Sequence, residues 1–104
     1  MTSKVKITVI KKMSTKDVYG ADFPCQPSED LEPECPLFNV GDEFIVQEGA
    51  CPAGFCGWAF ADIQRDIAHL WTEGSYPWVK DEGVAICCCT DGLRPVFFKL
   101  ERVE

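Results

Sequence analysis

Val84-Ala85-Ile86-Cys87-Cys88-Cys89-Thr90-Asp91-Gly92-Leu93-Arg94-Pro95-Val96-Phe97-Phe98-Lys99-Leu100 reads as two strands joined by a turn. Asp91-Gly92 is a hairpin signal, and apolar runs flank it on both sides. One strand spans Val84–Cys89 and the other Val96–Val103. More than two residues separate them, which predicts a bulge or a wide turn. In the second strand Val96, Phe98 and Leu100 share a face, and Phe97, Lys99 and Glu101 share the other. Side chains alternate along a strand, so Cys87 and Cys89 share a face and Cys88 points away. Parity with Val84 and Ile86 places Cys88 in the core.

Upstream of this hairpin lies the strongest helical pattern in the chain. Phe60, Ile63, Ile67, Leu70 and Trp71 recur at spacings of three and four, and Asp62, Arg65, Asp66 and Glu73 fall on the opposite face. The pattern predicts a helix over 58–73, with Gly74 as its stop. Glu43–Gln47 reads as a further strand, entered by a turn at Val40-Gly41-Asp42 and ended by Gly49.

At the N-terminal end Val5, Ile7 and Val9 alternate with Lys4, Lys6 and Thr8. That is a strand with one wet face, and its lysines suit an edge position. Residues 13–39 form a long acidic excursion in which Pro24, Pro27, Pro33 and Pro36 suppress both helix and ladder. Within it, Ser14-Thr15-Lys16-Asp17 can open one helical turn. The whole chain, residues 1–104, is therefore expected to form one α+β domain. A small antiparallel sheet of about four strands carries one main amphipathic helix on one face, with a long N-terminal excursion.

Seven cysteines in 104 residues call for a chemical reason. The N-terminal segment lacks the uninterrupted apolar core of a secretory signal, and no stretch is long and apolar enough to span a bilayer. The expected compartment is the cytoplasm, where structural disulfides are rare, and an odd cysteine count leaves at least one thiol unpaired. A net charge of −7 argues against nucleic acid and anionic membrane as partners.

Cys56 sits at the start of the helix, where free N–H groups and the dipole favour a thiolate. It is read either as a reactive or ligating thiol or as a small residue packed under the first turn. Cys51 and Cys56 lack the two-residue spacing of a redox or zinc knuckle, and the full ligand pattern of an iron–sulfur site is missing. Zinc remains open if Cys35, Cys51 or Cys56 joins the triplet. The triplet can equally pad a strand as small hydrophobes. Asp91 is read chiefly as shaping the Asp-Gly turn. Arg94, held extended by Pro95, lies near thiols whose ionised form it would favour, or near a bound anion. His69, the single histidine, lies late on the helix and off its apolar stripe, which a helix C-terminus explains without function. Trp58, Trp71, Trp78, Tyr76 and Phe55 can line a pocket, though aromatic side chains in a small domain are ordinarily core.

Val40-Gly41-Asp42-Glu43-Phe44, Gly54-Phe55-Cys56 with Trp58-Ala59, and above all Cys88-Cys89-Thr90-Asp91-Gly92-Leu93-Arg94-Pro95-Val96-Phe97-Phe98 resemble a family of small cysteine-rich prokaryotic proteins of unknown function. The likeness runs over most of the chain and is most specific from Cys88 to Pro95. It implies Cys56, Cys88, Cys89, Asp91 and Arg94 as the residues of a shared site.

Together these readings favour a thiol-rich module that binds a metal or a small electrophilic or anionic ligand. Its members are Cys56, Cys88 and Cys89, with Cys35 as a fourth metal ligand, Trp58, Asp91 and Arg94 as ligand contacts, and zinc or an iron–sulfur cluster as the candidate cofactor. The alternatives are a thiol-dependent enzyme using Cys56 or Cys89 with Arg94 lowering its pKa, and a structural protein with inert thiols. Ile10, Ile45, Phe97 and Val103 lie opposite the main apolar faces of their strands. This predicts a homo-oligomer that buries Phe97 and part of the 75–78 loop.

Overall fold

The computed structural model describes residues 4–103. Four strands and two helices follow one another as β1 (Lys4–Lys12), α1 (Thr15–Tyr19), β2 (Glu43–Gln47), α2 (Gly57–Trp71), β3 (Val84–Cys88) and β4 (Val96–Val103). The strands form one antiparallel sheet in the order β2-β1-β4-β3. The expected α+β architecture is thus the one observed, with one long helix and a sheet of four strands.

Alternation dictates which face is covered. Val5, Ile7 and Val9 of β1 and Val96, Phe98 and Leu100 of β4 are almost wholly buried. They pack beneath Ala59, Ile63, Ile67 and Leu70 of α2. Each such side chain contributes about 1.5–3 kcal/mol on leaving water. Arg102 fixes the far end of α2: its guanidinium donates to the carbonyls of Leu70 at 2.9 Å and Gly74 at 2.7 Å. The helix ends two residues earlier than its pattern predicts. Glu73, not Gly74, adopts the left-handed conformation (φ 68°). Gly74 is needed for space instead, because a Cβ there would lie 2.4 Å from the His69 ring.

β1 is not an edge strand. It lies between β2 and β4, and the edges are β2 and β3. Its lysines are tolerated in mid-sheet because the face they occupy stays open and acidic partners stand beside them. Lys6 is 3.9 Å from Glu43 and 3.7 Å from Glu101. Ile45 and Ile86 are 42% and 56% exposed on that face.

The excursion packs on the same side of the sheet as the helix. Its C-terminal end delivers Phe38, 2% exposed, into the core. There its ring lies 5.0 Å from Phe55, 5.4 Å from Phe98 and 6.1 Å from Phe44. Lys12 clamps this point by donating to the Phe38 carbonyl at 2.6 Å. The helical turn expected at Ser14 is present as α1, with a full capping box. Ser14 Oγ accepts from the Asp17 N–H, and Asp17 accepts from the Ser14 N–H. Among the described residues no helix is long and apolar enough to cross a membrane.

Candidate functional site: a thiol-lined cleft at the hairpin mouth

β3 and β4 part at Cys89. Its N–H donates to the Val96 carbonyl at 3.1 Å, and the Val96 N–H donates back to Cys89 Sγ at 3.3 Å. This exchange closes the ladder and leaves Thr90–Pro95 as a wide loop. Asp91 shapes that loop as an Asx turn: Oδ1 accepts from the N–H groups of Leu93 at 2.9 Å and Arg94 at 3.2 Å. Two distant elements pin it. Thr90 donates its N–H to Asp62 of α2 at 2.7 Å, and its hydroxyl to the same carboxylate at 2.9 Å. Tyr19 of α1 donates its hydroxyl to the Gly92 carbonyl at 2.7 Å.

Between this loop, the start of α2 and the end of the excursion lies a cleft of about 550 Å³. It gathers Cys35 from the excursion, Cys56 and Trp58 from the helix entry, and Cys89, Asp91 and Arg94 from the hairpin. Six of the seven residues singled out from sequence therefore share one cavity. Leu37, Phe38, Leu93 and Val96 supply its apolar wall. Sequence reasoning did not single out the Leu37-Phe38 pair. Its signal was an apolar doublet after Pro36 in an otherwise acidic stretch.

The polar end of the cleft sets the Arg94–Asp91 pair beside the start of α2. Arg94 Nε lies 3.4 Å from Asp91 Oδ2, an ion pair without hydrogen-bond geometry, and the buried Nε–H has no acceptor. Cys56 is the N-cap residue of α2 with extended backbone (φ −69°, ψ 121°), and its thiol makes no capping bond. The first turn of α2 carries no acidic residue. The N–H groups of that turn are therefore not served by the cap side chain, and Cys56, Trp58 and Ala59 of this turn line the cavity. Cys35 and Cys56 are half-buried and Cys89 is buried.

Cys88 is a correction. It is exposed, and Cys87 instead packs against the core, in line with Ala85. Register explains the reversal. Ala85 pairs with Leu100 and Cys87 with Phe98, and directly opposed residues in an antiparallel pair share a face. α2 lies close over this edge, so the small side chains Ala85 and Cys87 fit beneath it, while Val84 and Ile86 turn outward. Cys88 accordingly lies outside the cleft, in a separate groove with Cys87. Cys25 and Cys51 are exposed and belong to neither.

All seven cysteines are free thiols. Among the described residues no three His, Cys, Asp or Glu side chains converge closely enough to hold a metal ion. His69 is placed by the helix end: its Nε2 lies 2.9 Å from the Ser75 carbonyl and its ring lies against Tyr76, tilted by 32°. Comparison with family models, with curated proteins and with solved structures finds no match.

Proposed function

We propose that the cleft binds a small anionic molecule whose apolar body lies against Leu37, Phe38, Trp58 and Leu93. Its charged end faces Arg94 and the first turn of α2, and its reactive or polarisable centre lies beside Cys56 and Cys89. One observation carries this reading: Arg94, whose buried Nε–H has no hydrogen-bond acceptor, lines a cavity that also holds three thiols. A buried donor left unpaired costs about 1–3 kcal/mol, and an anion toward which the guanidinium turns recovers it. Asp91 is committed to the loop through Oδ1, so it orients Arg94 rather than satisfying it.

The test uses two alkylating probes of similar size and different charge. Iodoacetate is anionic and iodoacetamide is neutral. Their relative rates are measured at each cysteine by mass spectrometry of the reduced protein. The expected iodoacetate preference at Cys56 is about three- to tenfold over that at exposed Cys25 and Cys51, the effect of one partly screened charge. Arg94→Gln should abolish it. Equal preference at all three sites overturns the reading. Metal analysis of protein purified without oxygen separates the metal version. Near-stoichiometric zinc or iron would make the thiols ligands and leave no free thiolate to report.

A further inference from the structure

A second groove of about 340 Å³ lies on the other side of Thr90. α2 supplies Asp62, Arg65 and Asp66, the 75–78 loop supplies Tyr76 and Trp78, and β3 supplies the floor at Ala85 and Cys87. Tyr76 and Trp78 form one wall and belong to an aromatic ladder that continues behind them to His69. His69 and Tyr76 lie with ring centroids 4.5 Å apart. Tyr76 and Trp78 stack at 4.7 Å with planes 21° apart. Trp78 ends the ladder at the groove and is 76% exposed. The ladder is anchored rather than loose: the Tyr76 hydroxyl donates to Asp66 at 2.5 Å, and Ser75 Oγ accepts from the Gly83 N–H at 2.9 Å.

The field in this groove is negative. Burial pushes the Cys87 thiol up to about 12 and Asp66 adds to the rise. Cys88 is raised by burial, with Cys89 and Asp62 contributing. Tyr76 is pushed up to about 12 by burial and by its bond to Asp66. Near neutral pH both thiols and the phenol are therefore uncharged, and the charged groups facing the groove are Asp62, Asp66 and Arg65. Arg65 is loosely held, its side chain 88% exposed and its Nε 3.8 Å from Asp66.

We propose that this groove binds an organic ammonium cation, held against the exposed indole of Trp78 where it lines the groove and drawn by Asp62 and Asp66. An indole face attracts an alkylated ammonium by about 0.5–2 kcal/mol, and carboxylates beside it add Coulomb attraction. A hydrated metal ion gains little from an aromatic wall. An anion is repelled by the local carboxylates. Arg65 acts as a displaceable internal competitor for the same field.

The probe is tetramethylammonium chloride, titrated against sodium chloride at constant ionic strength. The readout is the chemical shift of the Trp78 indole N–H and of the backbone amides of Ser75, Tyr76 and Trp78. A saturable shift in the millimolar range is expected. Trp78→Ala should remove saturation at the Tyr76 amide. Asp66→Asn should weaken binding about three- to tenfold, and Arg65→Gln should tighten it by a similar factor. Tert-butanol, a neutral probe of similar shape, should give no saturable shift. Saturation by tert-butanol equal to that by the cation, linear shifts with the cation, or weaker binding in Arg65→Gln would each overturn the proposal.

Discussion

The two hollows beside Thr90 hold the same nucleophile in opposite company. In the cleft, Cys56 and Cys89 share space with a guanidinium and an uncapped helix start. In the groove, Cys87 and Cys88 face the carboxylates of Asp62 and Asp66. Three of these cysteines are consecutive in sequence, and one ladder position separates the two environments. What a thiol can do here is set by the charge across from it, not by the residues next to it in the chain.

The largest expected effect concerns Cys87. Its thiol is raised from an ordinary 9.0 to about 12, chiefly by burial. The folded state therefore keeps a proton that the unfolded chain releases between these values. Stability is unaffected below about pH 9 and falls as pH rises toward 12, by about 1.4 kcal/mol per pH unit for one proton. The limiting loss is about 4 kcal/mol, and residual solvent access to the thiol trims it. Urea unfolding of reduced protein at pH 8, 9, 10 and 10.5 should show this fall. Cys87→Ala should make it shallower by about one proton, even though the variant starts less stable from lost packing. Parallel slopes would remove the burial-and-carboxylate account of the groove.

Breaking the partition between the hollows is the next largest change. Asp62 accepts both Thr90 bonds, and Thr90 lines both cavities. Asp62→Ala should cost about 1–2 kcal/mol, the lower range for bonds to a charged group because these are exposed. It should also raise alkylation rates on both sides, at Cys89 and at Cys88. A midpoint in urea unchanged within error would mean that the loop holds its place without α2.

Local sequence carried most of the fold. The Ser14–Asp17 capping box, the α2 stripe and the alternation of β1 and β4 all describe residues within a few positions of each other, where periodicity is informative. Two readings failed for one reason. The edge placement of β1 and the burial of Cys88 both depend on what lies beside a strand, and a strand's own pattern reports faces, not neighbours. Val84-Ala85-Ile86 is apolar on both sides, so only pairing with Leu100 and Phe98 chooses the inward face. The cleft was legible as residue types in the Cys89–Arg94 loop and at Cys56 and Trp58. Its closure was not, because Cys35, Leu37 and Phe38 arrive from a proline-rich excursion, and the Asp62–Thr90 tie spans 28 positions. No local rule joins such pairs.

The smallest expected effect sharpens the comparison most. Tyr19 reaches from α1 to the Gly92 carbonyl, an exposed tie that touches the cleft loop and not the groove. Tyr19→Phe removes one neutral hydrogen bond, worth about 0.5–1.5 kcal/mol. Its effect should be local. Amide exchange at 91–94 should quicken and alkylation at Cys56 and Cys89 should rise severalfold. Cys87 and Cys88 should keep their wild-type rates, since their pairing with Phe98 and Phe97 is untouched. Equal acceleration on both sides would show that the loop and β3 move as one body, so that the two hollows respond together despite their opposite charge. Acceleration confined to the cleft would establish α1 as the element that holds one hollow closed independently of the other.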